Sequence, residues 1–283
     1  MFSILIPAYD YDCGALIAAL RQQCEQLAAE DGDFDYEILS DAIRGRAHAR
    51  NVLADRAKGD YFIFLDADAA VTPGDNNLPE PSTPSTFNFV RNYWQARHET
   101  PVVVGGIATP ATVPDARGRQ LRLRYEQDAT RRRTPDYRCR HPYDCFATFN
   151  FMITREAFRQ VGGFDEACRE YGYEDTLLGV RLQENDIAIR HIDNPLYHMG
   201  IDLSEEYLRK VEASLRTLHG LGEPMQSHAG VSRAARRLQR LHLDSLFRNI
   251  YQHLRSRLVG NLLSENPSLL LLKFYKLGYY LAL

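Results

Sequence analysis

The chain has 283 residues, of which 45% are hydrophobic and 25% charged, and its net charge is −3. These are the proportions of a folded globular protein, and the near-neutral balance gives no footing for nucleic acid as a partner. Five cysteines (Cys13, Cys24, Cys139, Cys145, Cys168) with no C-x-x-C spacing argue against a disulfide framework and against zinc, and fit a reducing, cytoplasmic compartment.

In chain order, Phe2 to Ile6 is a compact apolar strand stopped by Pro7. The N-terminus lacks a basic flank and a long apolar core, so it reads as a first strand and not as a signal peptide. Leu16, Leu20, Cys24 and Leu27 have helical spacing within Ala15 to Leu27. Tyr36 to Leu39 is a second strand, Asp41 to Lys58 a helix or turn plus helix, and Tyr61 to Leu65 a third, apolar strand. Strand and helix alternating in this way predict a mainly parallel sheet with helices on its faces. The Pro-, Ser- and Asn-rich stretch from Thr72 to Thr86 is a loop, Phe87 to Arg97 a helix, and Val102 to Gly106 a strand. Pro110 to Arg140 has little periodicity and many Arg, which predicts a long excursion over the active face. Ala147 to Ile153 is a strand, and Thr154 caps a helix over Arg155 to Val161. Gly162 to Glu166 is a turn, Glu174 to Glu184 a helix, Ile187 to His191 a strand, and Pro195 to His198 a short extended piece.

After about residue 204 the texture changes. Leu243, Leu246, Phe247, Ile250, Leu254, Leu258 and Leu262 recur at three or four residues, an amphipathic helix in an Arg-rich region. The apolar tail from Pro267 is shorter than the roughly 20 residues of a membrane span and carries Lys273 and Lys276. The division expected is a catalytic domain over 1–204 and a helical extension over 205–283.

The third strand ends in Asp66 and Asp68, one residue apart. If the strand continues, both point the same way, at the carboxyl end of a strand where open α/β sheets bind ligands. Adjacent carboxylates repel, and a hard divalent cation (Mg²⁺, Mn²⁺ or Ca²⁺) relieves the repulsion. The plain alternative is a solvated acidic turn.

Four stretches then decide between these readings: Ser3 to Asp10, Gly45-Arg46-Ala47-His48-Ala49-Arg50-Asn51, Leu65-Asp66-Ala67-Asp68, and Gly162-Gly163-Phe164-Asp165-Glu166 followed by Tyr171-Gly172-Tyr173-Glu174-Asp175. In this order they resemble a family 2 glycosyltransferase of the GT-A fold, with a rear half similar to the galactosyltransferase and chondroitin-polymerase type. The resemblance covers residues 2 to 200 and implies a Rossmann-like α/β fold, a mixed, mainly parallel sheet with helices on both faces, plus the C-terminal helical extension. One departure is that the usual Asp-Asp-Gly-Ser stretch after the second strand is missing, which leaves only Asp41 for the base.

The resemblance implies an inverting, metal-dependent transfer from a UDP-sugar to a hydroxyl of a glycan or lipid-linked saccharide, in polysaccharide or glycoconjugate biosynthesis. Asp68 is the expected metal ligand, Asp66 assists through ribose or metal, and His198 completes the site, with His191 as its competitor. Imidazole favours Mn²⁺ over Mg²⁺. Arg46 and Arg50 are expected to clamp phosphates. Pro7, Tyr9, Asp10 and Asp41 are expected at the nucleotide. Asp175 is the expected base, taking the hydroxyl proton as attack develops, with Glu174 and Tyr173 binding the acceptor. Gly105-Gly106 is a candidate for close approach to the sugar, with packing and turn roles open for it as for Tyr9 and Asp10, and Asn150 and Phe151 are candidates for the acceptor side. A nucleotidyltransferase would need a Gly-rich basic loop after the first strand, which Pro7-Ala8-Tyr9-Asp10 does not supply. The remaining alternative is a non-catalytic nucleotide- or cation-binding, membrane-docking module. The Arg-rich helices have three alternatives: an anionic membrane face, the catalytic domain, or a second subunit in a homo-oligomer.

Overall fold

The structure, a computed structural model, describes residues 1–72, 88–110, 113, 116–168, 171–222 and 225–283. Beyond Thr72, the loop expected up to Thr86 lies outside the described residues, as do Phe87 and residues 111, 112, 114 and 115 of the expected excursion. In order, the elements are β1 (Phe2–Pro7), α1 (Gly14–Glu30), β2 (Tyr36–Asp41), α2 (Arg46–Arg56), β3 (Tyr61–Leu65), β4 (Ala69–Ala70), α3 (Phe89–Ala96), β5 (Val102–Val104), β6 (Ile107–Ala108), α4 (Gln120–Ala129) and α5 (Pro135–Arg140). There follow β7 (Asn150–Thr154), α6 (Arg155–Gln160), α7 (Glu174–Glu184), β8 (Ile189–His191), β9 (Leu196–His198), α8 (Ser204–Leu221), α9 (Met225–His228), α10 (Gly230–Arg240), α11 (Asp244–Leu262) and α12 (Leu269–Leu281).

Two compact units form. One comprises Met1–Ala111, Thr130–Arg169 and Glu174–Gly200; the other comprises Thr112–Ala129, Glu170–Tyr173 and Ile201–Leu283. Residues 112–129 and 170–173, which the sequence pattern alone assigns to the sheet domain, thus belong to the helical unit.

The first unit is built on a six-stranded sheet in the order β2-β1-β3-β7-β5-β8. β1 runs parallel to β2 and β3, and β5 parallel to β8, while β7 is antiparallel to both its neighbours. The alternation along the strands explains the layers. Phe2, Ile4 and Ile6 of β1, Ile63 and Leu65 of β3, and Met152 of β7 face α1 and α3. Leu5, Phe62, Phe64, Phe151 and Ile153 face α2, α6 and α7, through Leu53, Phe158, Leu178 and Leu182. Helices cover both faces, the arrangement expected of the GT-A fold. A small second sheet, β4-β9-β6, sits at the carboxyl ends of the main strands.

The excursion from Pro110 to Arg140 is more ordered than its pattern suggests: it contains α4, a 3₁₀ turn over Thr130–Arg132, and α5. Pro135 opens α5, and the Thr134 hydroxyl accepts from Tyr137 N–H as its cap. The helical period of α4 is hidden because one of its buried positions is Glu126, paired with Arg122 at 2.7 Å.

The second unit is helical. Arg122 of α4 lies over the Tyr207 ring of α8, 4.8 Å from its centroid, and the backbone N–H of Leu121 donates to Ser204 Oγ at 3.2 Å. α11 packs on α12 through Tyr251, Leu258 and Leu262, with Tyr251 5.6 Å from Tyr275, ring to ring. Among the described residues no helix is long and apolar enough to cross a membrane.

Candidate active site

β3 stops at Leu65, and a turn closed by the Ala69 N–H on the Asp66 carbonyl, at 3.1 Å, follows at once. The turn breaks the alternation, so the two carboxylates do not share partners as expected from a continued strand. Asp68 leads into β4, which pairs antiparallel with β9 in the register Ala69↔His198. That register brings His198 Nε2 to 3.3 Å from Asp68 Oδ2, and the Met199 N–H to 2.9 Å from the Asp68 carbonyl. The Phe149 ring stands edge-on against His198, centroids 5.5 Å apart. Gly200 keeps space at this carboxylate: a Cβ there would lie 2.0 Å from Asp68 Oδ2.

This pair fits a divalent cation. A carboxylate oxygen and an imidazole nitrogen meet at one point, and that donor set suits Mn²⁺. Among the described residues no group of three or more His, Cys, Asp or Glu gathers, so Asp68 and His198 would be the protein's share and the remaining positions would go to phosphate oxygens and water. Tyr11, which sequence reasoning missed, belongs to this neighbourhood. Its hydroxyl is pushed up by burial, and the Asp68 and Asp12 charges add to the effect.

Asp66 is held elsewhere. Its Oδ1 accepts from Arg50 Nη2 at 2.5 Å, and Arg50 Nη1 lies 3.7 Å from Glu174 Oε1. The Arg50 side chain is 2% exposed and Glu174 7%. The guanidinium also stands over the Phe164 ring, 5.2 Å from its centroid. Arg50 is therefore an internal bridge between the acidic motif and the start of α7, and not the phosphate clamp expected of it: a cation sunk this deep serves the carboxylates that compensate it. Glu174 is correspondingly a counter-ion rather than an open acceptor-binding group. Arg46, half-exposed and 3.7 Å from Glu174 Oε1, is the arginine of this pair that reaches solvent.

Asp175 stands beside Glu174 in the first turn of α7. Its Oδ1 accepts from Thr176 N–H at 2.6 Å and from Thr176 Oγ1 at 3.3 Å. Burial pushes its carboxyl up to about 6; the Glu174 charge adds to the rise, while Thr176 and Arg50 oppose it. A carboxylate poised there can take a proton near neutral pH and release it again. Tyr173, just before the helix, has φ 69°, an uncommon left-handed backbone for a bulky residue.

α2 is stapled to the turn that precedes α7. Asn51 accepts from the Phe164 N–H at 2.9 Å and donates to the Phe164 carbonyl and to Glu166 Oε1, both at 2.9 Å. His48 Nδ1 lies 3.0 Å from Glu166 Oε2. Gly163, at φ 67°, admits this contact, since a Cβ would meet Asn51 Oδ1 at 2.8 Å. The two sequence motifs are thus one structural device.

The nucleotide candidates gather where β1 and β2 end. Pro7 pairs with Asp41 in register, Tyr9 is exposed, and exposed Asp10 has φ 52°. The Asp41 carboxylate is engaged by Arg56 Nη1 at 2.5 Å, so any contact it made with a base would be shared with an ion pair. Asn150 and Phe151 are buried and do not line an acceptor surface. Asn150 ties Tyr93 Oη to the Gly106 and Asn194 carbonyls, and Phe151 stacks on Phe64.

His191 is not a ligand. Its Nδ1 lies 3.1 Å from Arg138 Nη1 and its Nε2 2.9 Å from the Pro142 carbonyl, and burial lowers its pKa to about 4. The neutral ring therefore accepts from Arg138 and donates to Pro142. Arg138 also donates to the carbonyls of Arg133, Val104, Gly105 and Ile192. This fastens α5 to the end of β5 and the Gly105-Gly106 turn. Sequence gave no signal for it, because an arginine among many carries no mark of burial.

A family model described as Glycosyl transferase family 2 matches residues 17–76, and one described as N-terminal domain of galactosyltransferase matches residues 129–201. The first contains α2 and Asp66 to Asp68; the second contains Asp165, Glu174, Asp175 and His198. No curated protein matches the chain. Among solved structures, the catalytic domain of Drosophila beta1,4galactosyltransferase 7 in complex with xylobiose is 18% identical, covering 71% of this chain and 68% of that one at a TM-score of 0.37. The mannosyltransferase PcManGT from Pyrobaculum calidifontis, in complex with GDP-Man and Mn²⁺, is 12% identical over 99% of this chain and 84% of that one, TM-score 0.47. TarS 1-349 of S. aureus is 12% identical over 77% and 65%, TM-score 0.40. Both family models fall on the motifs that build this site, and together they support a glycosyltransferase of the family 2 type.

Proposed function

We propose that the chain moves a sugar from a UDP-sugar to a hydroxyl of a glycan or lipid-linked saccharide, with inversion, in the making of a polysaccharide or glycoconjugate. The observation that carries the metal-dependent part is the Asp68–His198 pair, closed at 3.3 Å across β4 and β9 beside a glycine that leaves the carboxylate room. A cation bound there, Mn²⁺ in preference to Mg²⁺, supplies neutralisation of the diphosphate as it leaves.

The chain's own residues do the rest. The acceptor oxygen attacks the anomeric carbon, the bond from that carbon to the diphosphate oxygen breaks, and the hydroxyl proton passes to Asp175. A carboxyl raised to about 6 is ionised at neutral pH yet basic enough for this. Arg50 fixes the distance between the two acidic stretches, and half-exposed Arg46 is the nearer candidate for a phosphate oxygen. Tyr9, Asp10, Pro7 and Asp41 are the residues for the base end, and Tyr173, two positions before Asp175 in the chain, is the proposed acceptor binder.

The test is UDP-sugar transfer and hydrolysis with and without Mn²⁺. Activity that needs the ion and falls by about 10²- to 10⁴-fold in Asp175→Asn, with donor binding retained, fits the proposal. Mn²⁺-dependent UDP binding without turnover on any donor would instead favour a non-catalytic nucleotide-binding module.

A further inference from the structure

We infer that the corner between α10 and α11 docks on an anionic lipid surface. Leu241, in the turn, is 58% exposed, and Leu243, Leu246 and Ile250 are 43%, 57% and 42% exposed. Leu243 precedes α11, and Leu246 and Ile250 within it follow at steps of three and four, so the three fall on one face at the start of that helix. That face is distinct from the one packed on α12, which carries Tyr251, Leu258 and Leu262. Arg257 continues the exposed face two turns on. On α10, Arg233, Arg237 and Arg240 share a second solvent-facing stripe at steps of four and three.

Charge decides the occupant. Between residues 233 and 257 six of the seven arginines are exposed, one of them (Arg255) 3.7 Å from Glu212, and the single acid in the stretch is Asp244, in a chain whose net charge is −3. A two-fold contact with a second copy would set this patch against itself, arginine on arginine. A free phosphate would use the arginines but give the leucines nothing to enter. An anionic bilayer satisfies both: guanidinium forks meet headgroup phosphates while the apolar tip sinks to the acyl boundary. No described helix is long and apolar enough to cross a membrane, and the contact inferred is one of lying on the surface.

The experiment is co-sedimentation of the full chain with phosphatidylcholine vesicles and with vesicles that also contain phosphatidylglycerol. The expected result is binding to the anionic vesicles alone, weakened by added salt. One basic residue near such a surface is worth about fivefold in partition, so Arg237→Gln with Arg240→Gln should lower binding on the order of twentyfold. Leu246→Glu with Ile250→Glu should abolish it. All these positions are exposed, and unchanged thermal unfolding and catalytic turnover check that the variants fold. Absence of binding to anionic vesicles, equal binding to both vesicle types, or binding undiminished in folded variants overturns the inference. So does self-association in solution that the leucine and isoleucine changes abolish without any loss from vesicles.

Discussion

Arg50→Met is the sharpest probe of how the site is held. The substitution keeps a long apolar stem but removes a cation lying 2.5 Å from Asp66 and 3.7 Å from Glu174. At 3.7 Å and an effective dielectric constant near 20, the Glu174 attraction alone is about 4–5 kcal/mol before desolvation is counted. Breaking a buried pair by deleting one partner costs about 3–5 kcal/mol. At about 2–4 °C per kcal/mol for a protein of this size, the unfolding temperature should fall by roughly 6–20 °C. A second readout is independent of stability. The Arg50 charge lowers the Asp175 carboxyl and the Glu174 charge raises it. The acid limb of the rate–pH profile, expected near pH 6, should therefore move up in Arg50→Met and down in Glu174→Gln. Thermal unfolding and initial rates of UDP-sugar turnover across about pH 5 to 8 measure both. An Arg50→Met protein within about 1 kcal/mol of the parent, or limbs that move in the same direction in the two variants, would refute the bridge.

Other expectations follow from the same contacts. Gly200→Ala places a Cβ 2.0 Å from Asp68 Oδ2, so Mn²⁺-induced thermal stabilisation should be lost as it is in His198→Ala, while unfolding without metal changes less. Asn51→Ala strips the Phe164 N–H and carbonyl of their partner and should cost about 2–3 kcal/mol by denaturant unfolding. Arg138→Met takes one donor from four carbonyls and from His191, with Val104 and Gly105 keeping the Ile192 and Asn194 N–H groups, and should destabilise by about 3 kcal/mol, with the β5–β6 turn exchanging its amide hydrogens faster. Asp175 also bears on stability. Its carboxyl is raised from an ordinary 3.8 to about 6, so the folded state holds that proton more tightly than the unfolded chain does. Its contribution to stability therefore declines as pH rises through that window, and Asp175→Asn should flatten the profile there.

The sheet was legible because β1 and β3 alternate or run apolar and α1 repeats Leu16, Leu20, Cys24 and Leu27 at helical steps. α4 was not, because its interior uses a buried Glu126 paired with Arg122, and a polar core position looks like surface in a sequence. The acidic motif was visible, but the direction of each carboxylate was not. A strand that continues and a strand that turns at Asp66 read alike, and only the turn sends Asp66 to Arg50 and Asp68 to His198. Arg50 shows the same limit: its charge is written in the sequence, while its depth depends on Phe164 and Glu174, far along the chain. His198 was reachable through the family resemblance and not through any local pattern.

The small β4-β9-β6 sheet has a bearing on when the protein becomes competent. Its three strands come from residues 69–70, 107–108 and 196–198, so no early fragment of the growing chain can assemble it. Asp68 emerges from the ribosome long before His198, so the pair proposed to hold the ion cannot form until residue 198 has been made. A cation captured by both would act as a clasp on this small sheet, because whatever binds the finished state and not its precursors pulls folding forward. Manganese supply during synthesis would then influence the yield of folded enzyme as well as its turnover.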